Sequence, residues 1–271
     1  MKRVVTVLLT LLLASVGLGV LGAPVAFAGA SGERVSKRLY RAIEELPKAP
    51  EVRRGYDRSK FRLWVDANGD CQDSRDEVLA AESLVAVSGC DIQTGRWRSY
   101  YDGVTTTDSG SFDIDHLVPL AEAWDSGARR WNAATRQRYA NDLRDSRTLV
   151  AVTASSNRSK SDRDVAEWMP GQGRCRYVRE WVAVKVRWQL TVNRPEKRAL
   201  RRYASGCANR RITVTLARVG TQSGPGTGTG LDPQFATCAD AIAAGYGPYV
   251  QGQDPEYDWY TDGDSDGVVC E

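Results

Sequence analysis

One histidine stands in 271 residues. That scarcity excludes a His-rich zinc site and any mechanism that needs two imidazoles. If the chemistry depends on histidine, His116 carries it alone. The six cysteines contain no Cys-x-x-Cys pair, which argues against a thiol redox centre or a zinc ribbon. No segment after the first 28 residues is apolar enough to cross a bilayer. From Gln234 to the end there is no Lys or Arg at all. Alternating strand and helix patterns of the βαβ kind are missing too, which excludes a Rossmann-type fold.

What is present divides the chain into parts. Met1-Lys2-Arg3 is basic, Val4 to Val20 is mostly apolar, and Ala26-Phe27-Ala28 offers small residues at a cleavage site. This pattern predicts a signal peptide over 1–28, and hence a secreted protein free of the membrane after cleavage. Val219 to Pro233 reads VGTQSGPGTGTGLDP, too poor in apolar side chains to bury surface, and is expected to be a linker. It separates a large domain, 29–218, from a small module, 234–271. The cysteines divide with it. Cys238 and Cys270 are left to pair with each other, and Cys71, Cys90, Cys175 and Cys207 allow three connectivities. The local one, Cys71–Cys90 and Cys175–Cys207, closes the shortest loops and is the one expected.

Charge divides at the same boundary. The chain carries a net +3, yet the module holds eight acids: Asp240, Asp254, Glu256, Asp258, Asp262, Asp264, Asp266 and Glu271. The large domain is therefore strongly basic. A basic body suits a polyanion, and an acidic tail suits a hard cation.

Hydrophobic periodicity predicts an α+β fold. Helices are expected over Val35 to Leu46, Val78 to Val87, Pro119 to Trp131, Thr135 to Leu143, from Ser155 to just before Pro170, Cys175 to Leu190 and Pro195 to Gly206. Strands are expected at Phe61 to Val65, Trp97 to Tyr101, Ser111 to Leu117 and Thr148 to Val152. The aromatics of the 175–190 helix are read as core rather than as a platform for bases.

The chemistry gathers around the lone imidazole. Asp113-Ile114-Asp115-His116 closes one strand ahead of Pro119. Asn141, a β-branched strand and Ser155-Ser156-Asn157-Arg158-Ser159-Lys160-Ser161-Asp162-Arg163 follow. Phosphodiester hydrolysis needs a base near neutral pH and a hard cation on oxygen ligands. A His, an Asp and an Asn at a helix start supply that set. Regular alternation sends Asp115 and His116 to opposite faces, so the strand must bend or end there if both are to serve one site. An unperturbed imidazole base would place the acid limb of activity near roughly pH 6.5.

The run D-I-D-H-L-V-P-L-A-E-A-W, followed by L-V-A-V-x-A-S-S-N-R-S-K-S-D-R-D-x-A-E-W-M-P, resembles the HNH (His-Me finger) nucleases, specifically the GmrSD restriction endonuclease C-terminal domain group. The resemblance covers roughly 61–190. It implies a ββα-metal core embedded in a helix-rich, disulfide-stapled domain, acting on DNA or RNA with one Mg²⁺ or similar cation. On this reading His116 is the general base and Asp115 and Asn157 are metal ligands. Asp113 is a further ligand or an orienting partner. Asn141 is the residue whose carbonyl orients the imidazole, with Asp142 and Asp145 as neighbours able to do the same. Arg158, Lys160 and Arg163 would hold phosphates.

Asp262-Gly263-Asp264-Ser265-Asp266-Gly267 places carboxylates at alternate positions ahead of a Gly, as in the first half of a calcium loop, with Glu271 as the remaining acid. With F-x-x-C-A-D-A-x-A-A-G at its start, the module resembles the excalibur calcium-binding domain. Asp66 to Glu77 has similar spacing, but Cys71 replaces the Gly, and either a cation loop or a helix-capping turn fits it. The chain is expected to be a monomer, and association with the cell wall is compatible with its tail. The competing reading is a calcium-dependent surface or nucleic-acid-binding protein without catalysis.

Overall fold

The structure is a computed structural model. It describes residues 32–220, 234–243, 249–251, 254–263, 265 and 267–270. The expected signal peptide and nearly all of the expected linker lie outside these residues.

The described residues open with β1 (Arg34–Arg38), which runs directly into α1 (Leu39–Glu45). Then come α2 (Ser74–Glu82), β2 (Thr94–Arg98), β3 (Thr105–Asp108) and β4 (Phe112–His116). These are followed by α3 (Leu120–Asp125), α4 (Ala133–Ala140), β5 (Leu149–Thr153) and α5 (Ala154–Lys160). The large region ends with α6 (Arg174–Arg187), α7 (Arg194–Ala204) and β6 (Arg211–Thr215). The C-terminal part holds α8 (Cys238–Ala243), β7 (Tyr249–Val250) and β8 (Val268–Val269). The described strands form four antiparallel pairs: β1 with β6, β2 with β3, β4 with β5, and β7 with β8. The fold is α+β, as the periodicity indicates.

α6 is the spine of the larger core. Its Tyr177, Val178, Trp181, Val182 and Ala183 are fully buried, so the aromatic row is core. α7 starts where Asn193 accepts the Glu196 amide at 2.7 Å, with Pro at its first turn. A second cluster, with Phe112, Ile114, Leu149, Ala151, Val78, Leu79 and Trp97, lies on one side of the β4–β5 pair. The three disulfides are Cys71–Cys90, Cys175–Cys207 and Cys238–Cys270.

The differences from the sequence reading have physical causes. Residues 34–38 are strand, not helix, because they pair with β6, some 177 residues away along the chain. Residues 61–65 are not a strand. The Asn141 side chain takes their backbone groups: its Nδ2 donates to the Arg62 carbonyl (2.7 Å) and its Oδ1 accepts from the Val65 amide (3.0 Å). Trp64 between them adopts φ +56°. Helix α2 stops at Glu82 rather than Val87. Helix α5 stops at Lys160, because Ser161 turns to φ +54°. Strand β3, Thr-Thr-Thr-Asp, has no apolar residue to alternate, whereas β6, Arg-Ile-Thr-Val-Thr, does alternate and is absent from the sequence reading.

Candidate active site

β4 and β5 pair from Phe112↔Thr153 to His116↔Leu149, and α5 leaves β5 without a loop. Period-two alternation sends Phe112, Ile114 and His116 to one side of β4 and Asp113 and Asp115 to the other. α5 covers the second side. Asn157 and Lys160 are three apart on α5, so both face β4.

Asn157 Nδ2 donates to Asp113 Oδ2 at 3.0 Å, and Arg158 Nε lies 3.7 Å from the same oxygen. Asp113 is partly exposed, while Asp115 is 4% exposed. Both Asp115 oxygens are taken: Oδ1 accepts from Lys160 Nζ at 2.7 Å, and Oδ2 from the Tyr101 hydroxyl at 2.6 Å. Lys160 is fully buried and also donates to the His116 carbonyl at 3.0 Å. Burial pushes Asp115 up and Lys160 down, against the attraction of each for the other. Burial likewise holds the Tyr101 phenol well above its ordinary value, so it remains a donor.

His116 is 5% exposed, with the Trp64 and Tyr139 rings 5.8 and 6.3 Å away. Its Nε2 bonds to the Ala140 carbonyl at 2.8 Å. A carbonyl only accepts, so Nε2 carries the proton, and the lone pair of the neutral ring sits on Nδ1. No described residue pairs with Nδ1. Burial, opposed by the Ala140 bond, pushes the imidazole down to about 3. The ring is therefore a neutral base across the neutral range, and it does not place a limb at pH 6.5.

Several expected roles shift. The carbonyl that orients the imidazole belongs to the Ala140 backbone, one residue before Asn141. The Asn141 side chain is saturated elsewhere: besides Arg62 and Val65 it accepts from Ser74 Oγ (2.6 Å) and donates to the Gln137 carbonyl (2.8 Å). Asp142 is buried and held by Arg187, Trp188 and Thr148, and Asp145 pairs with Arg147. Lys160 is not on a solvated face; its ammonium belongs to Asp115. Arg163 spends its guanidinium on the carbonyls of Ser159 and Lys160. Of the three phosphate-holding candidates, Arg158 alone is exposed without such a commitment, and it leans toward Asp113. No motif pointed to Tyr101, nor to Asp102, which accepts from the hydroxyls of Thr153 and Ser156 and fixes the β5–α5 junction. The Lys160 contact could have been read from its three-residue spacing to Asn157.

Asp113 and Asn157 fit a hard divalent cation: a carboxylate and an amide carbonyl, adjacent and near solvent. Asp115 fits only by giving up Lys160 or Tyr101. His116 leaves β4 on the other side, and no hydrogen bond joins it to these three.

Residues 80–203 match the family "GmrSD restriction endonucleases, C-terminal domain". The chain is 40% identical over 176 residues to an "Uncharacterized secreted protein" of Arthroderma benhamiae, covering 64% of this chain and 84% of that protein. The chain belongs to the GmrSD C-terminal domain family. Its family description points to nuclease activity on nucleic acid. Residues 235–271 match the Excalibur calcium-binding domain. No solved structure matches the chain. This GmrSD-type protein is extracellular: three disulfides require an oxidising compartment, and the similar fungal protein is described as secreted. Among the described residues, no helix is long and apolar enough to cross a membrane.

In the Excalibur part, Asp262 accepts from the Ser265 amide (2.8 Å), the Gly267 amide (2.9 Å) and the Tyr257 hydroxyl (2.7 Å), closing its own loop. Asp264, Asp266 and Glu271 lie outside the described residues. In the other acidic loop, Asp66 accepts from Gly69 and Cys71, Asn68 donates to Asp70 and Glu77, and Asp73 caps α2.

Proposed function

We propose that this protein is a secreted, metal-dependent nuclease of the HNH type, with residues 29–218 as its nuclease domain, 219–233 as a linker and 234–271 as a calcium-binding module. On this reading β4, β5 and α5 form a ββα-metal core. The observation that supports it is the lone imidazole, clamped by the Ala140 carbonyl so that its basic nitrogen is Nδ1.

In the proposed mechanism, His116 Nδ1 accepts a proton from the water that attacks phosphorus, which requires the substrate to lie across the end of β4, where the strand stops at His116 and both of its sides can face one phosphate. The Ala140 carbonyl fixes the tautomer and the ring plane, and Trp64 and Tyr139 restrict access of bulk water to the ring. Asp113 and Asn157, with Asp115 once it exchanges Lys160, are the residues that would hold Mg²⁺ or a similar ion. When bound, such an ion supplies positive charge for the phosphate oxygens. Until that exchange, Lys160 holds Asp115 in place and favours its charged form against the effect of burial. Arg158, exposed beside Asp113, is positioned to meet a flanking phosphate. Ca²⁺ is assigned to the acids 262, 264, 266 and 271.

Removing divalent ions tests this reading. Supercoiled plasmid incubated with the protein and Mg²⁺ is expected to be nicked and then linearised. An excess of EDTA should stop the reaction, and an excess of Mg²⁺ over EDTA should restore it. Cleavage indifferent to the chelator would contradict the metal assignment. Salt-sensitive DNA binding without turnover under any of Mg²⁺, Mn²⁺ or Ca²⁺ would favour a silent binding protein.

A further inference from the structure

The inner side of the β1–β6 ribbon packs Val35, Ile212 and Val214 on the core. Its outer side presents Arg34, Ser36 and Arg38 on β1 opposite Thr215, Thr213 and Arg211 on β6. This face has three exposed arginines, hydroxyls between them, and no acid. At the Arg34 end it opens into a cleft of about 460 Å³, lined among others by Arg34, Arg144, Asp145, Arg147, Arg187 and Thr213. Two of these cations are fixed within the fold. Arg147 is held by Asp145 and the Thr213 carbonyl, and Arg187 by Asp142 and the Thr215 carbonyl. Arg34, Arg144 and Arg211 have no side-chain partner among the described residues.

The cleft is linked to the candidate site by one loop. Residues 144–147 line it, and the chain then passes through Thr148 into Leu149, the cross-strand neighbour of His116. The Leu117 amide, just past His116, donates to the Thr148 carbonyl at 2.9 Å. A polymer lying on this face therefore contacts the loop that ends beside the imidazole.

We propose that the outer face of β1–β6 and the adjoining arginine cleft form a second nucleic-acid contact, a track for substrate phosphates away from the scissile bond. Arginines interleaved with Ser and Thr hydroxyls are suited to a phosphodiester backbone and carry no base readout. Such a track gives affinity and processing of polymer without sequence preference. It would also explain how a domain whose Lys160 is buried and whose Arg163 is engaged by backbone carbonyls still holds a polyanion. The inference rests on the nuclease reading of the His116 site.

The test compares wild type with the full-chain variant Arg34→Gln/Arg144→Gln/Arg211→Gln, all exposed positions. Binding to a fluorescein-labelled DNA duplex several helical turns long is followed by anisotropy in EDTA across a salt series. Cleavage of plasmid and of a dinucleotide is measured in Mg²⁺, and folding is checked by circular dichroism. The variant is expected to lose about tenfold or more in affinity, and its salt slope should shrink by about 2 to 3. Plasmid cleavage should slow while dinucleotide cleavage is unchanged. Equal affinity and equal slope would overturn the track and leave the nuclease reading intact. Equal loss on plasmid and dinucleotide, with DNA affinity unchanged, would also overturn it, since the face would then serve the site and not the substrate. If wild type neither binds nor cleaves DNA, the track fails together with the reading beneath it.

Discussion

Lys185→Met is expected to lower the stability of the protein by about 3 to 5 kcal/mol. Lys185 sits on α6 with no exposure. Its ammonium lies 2.5 Å from Glu122 of α3 and 3.1 Å from Glu196 of α7, and it donates to the Thr191 carbonyl. Trp181 Nε1 donates to Glu196 as well, at 2.6 Å. Oxygens of Glu51, Glu122 and Glu196 come within 4.8 Å of one another, with Lys185 supplying the positive charge. Burial acts to lower the Lys185 pKa, but the attraction of Glu122 and Glu196 prevails and raises it to about 12. Burial drives Glu122 well above the usual carboxylate range. An intact buried pair adds little net stability, yet removing one partner strands the other. In a domain of this size the loss corresponds to a fall in Tm of about 10 °C, readable by calorimetry. Adding Glu122→Gln to Lys185→Met should recover part of it, because the cost lies in uncompensated carboxylates. A Tm within a degree or so of wild type would show that the triad is not what ties α3, α6 and α7 together.

Asp142→Ala should be comparably damaging, and should reach the imidazole as well. Asp142 Oδ2 accepts from Arg187 Nε (2.7 Å), Trp188 Nε1 (2.9 Å) and Thr148 Oγ1 (2.9 Å), and Oδ1 from Arg187 Nη2 (2.7 Å). Its loss leaves a buried guanidinium without a counter-charge, held by the Thr215 carbonyl alone, and an indole N–H unpaired, a cost of about 3 to 5 kcal/mol. Asp142→Asn keeps the volume but turns an amide donor toward donors, so it should recover little. The Ala140 carbonyl that clamps His116 lies two residues before Asp142. Cleavage per folded molecule is therefore expected to fall too, which urea melts combined with plasmid assays would resolve. Normal stability in the Ala variant would remove Asp142 from the account.

The sequence showed the chemical cast of the site but not its grouping. The DIDH and SSNRSK runs identified β4, α5 and their polar residues, and the alternation argument correctly put Asp115 and His116 on opposite sides. It could not show that Asp113 is the acid meeting Asn157, because that depends on the register of β4 against β5 and the rotation of α5. The orienting carbonyl was out of reach, since every residue has one and only the fold selects Ala140. Val35 looked helical because its strand partner lies near the other end of the domain. Phe61 to Val65 looked like a strand because a side chain, Asn141, had taken the place of a neighbouring strand. The cysteine pairing was legible, as loop length alone favoured the local connectivity.

The most direct measurement is the rate of plasmid nicking by His116→Ala beside wild type, at equal folded concentration in Mg²⁺. Loss of a general base should reduce the rate by about 10² to 10⁴ while leaving duplex affinity in EDTA unchanged. A variant that nicks DNA as fast as wild type would remove His116 from the chemistry and, with it, the proposed site.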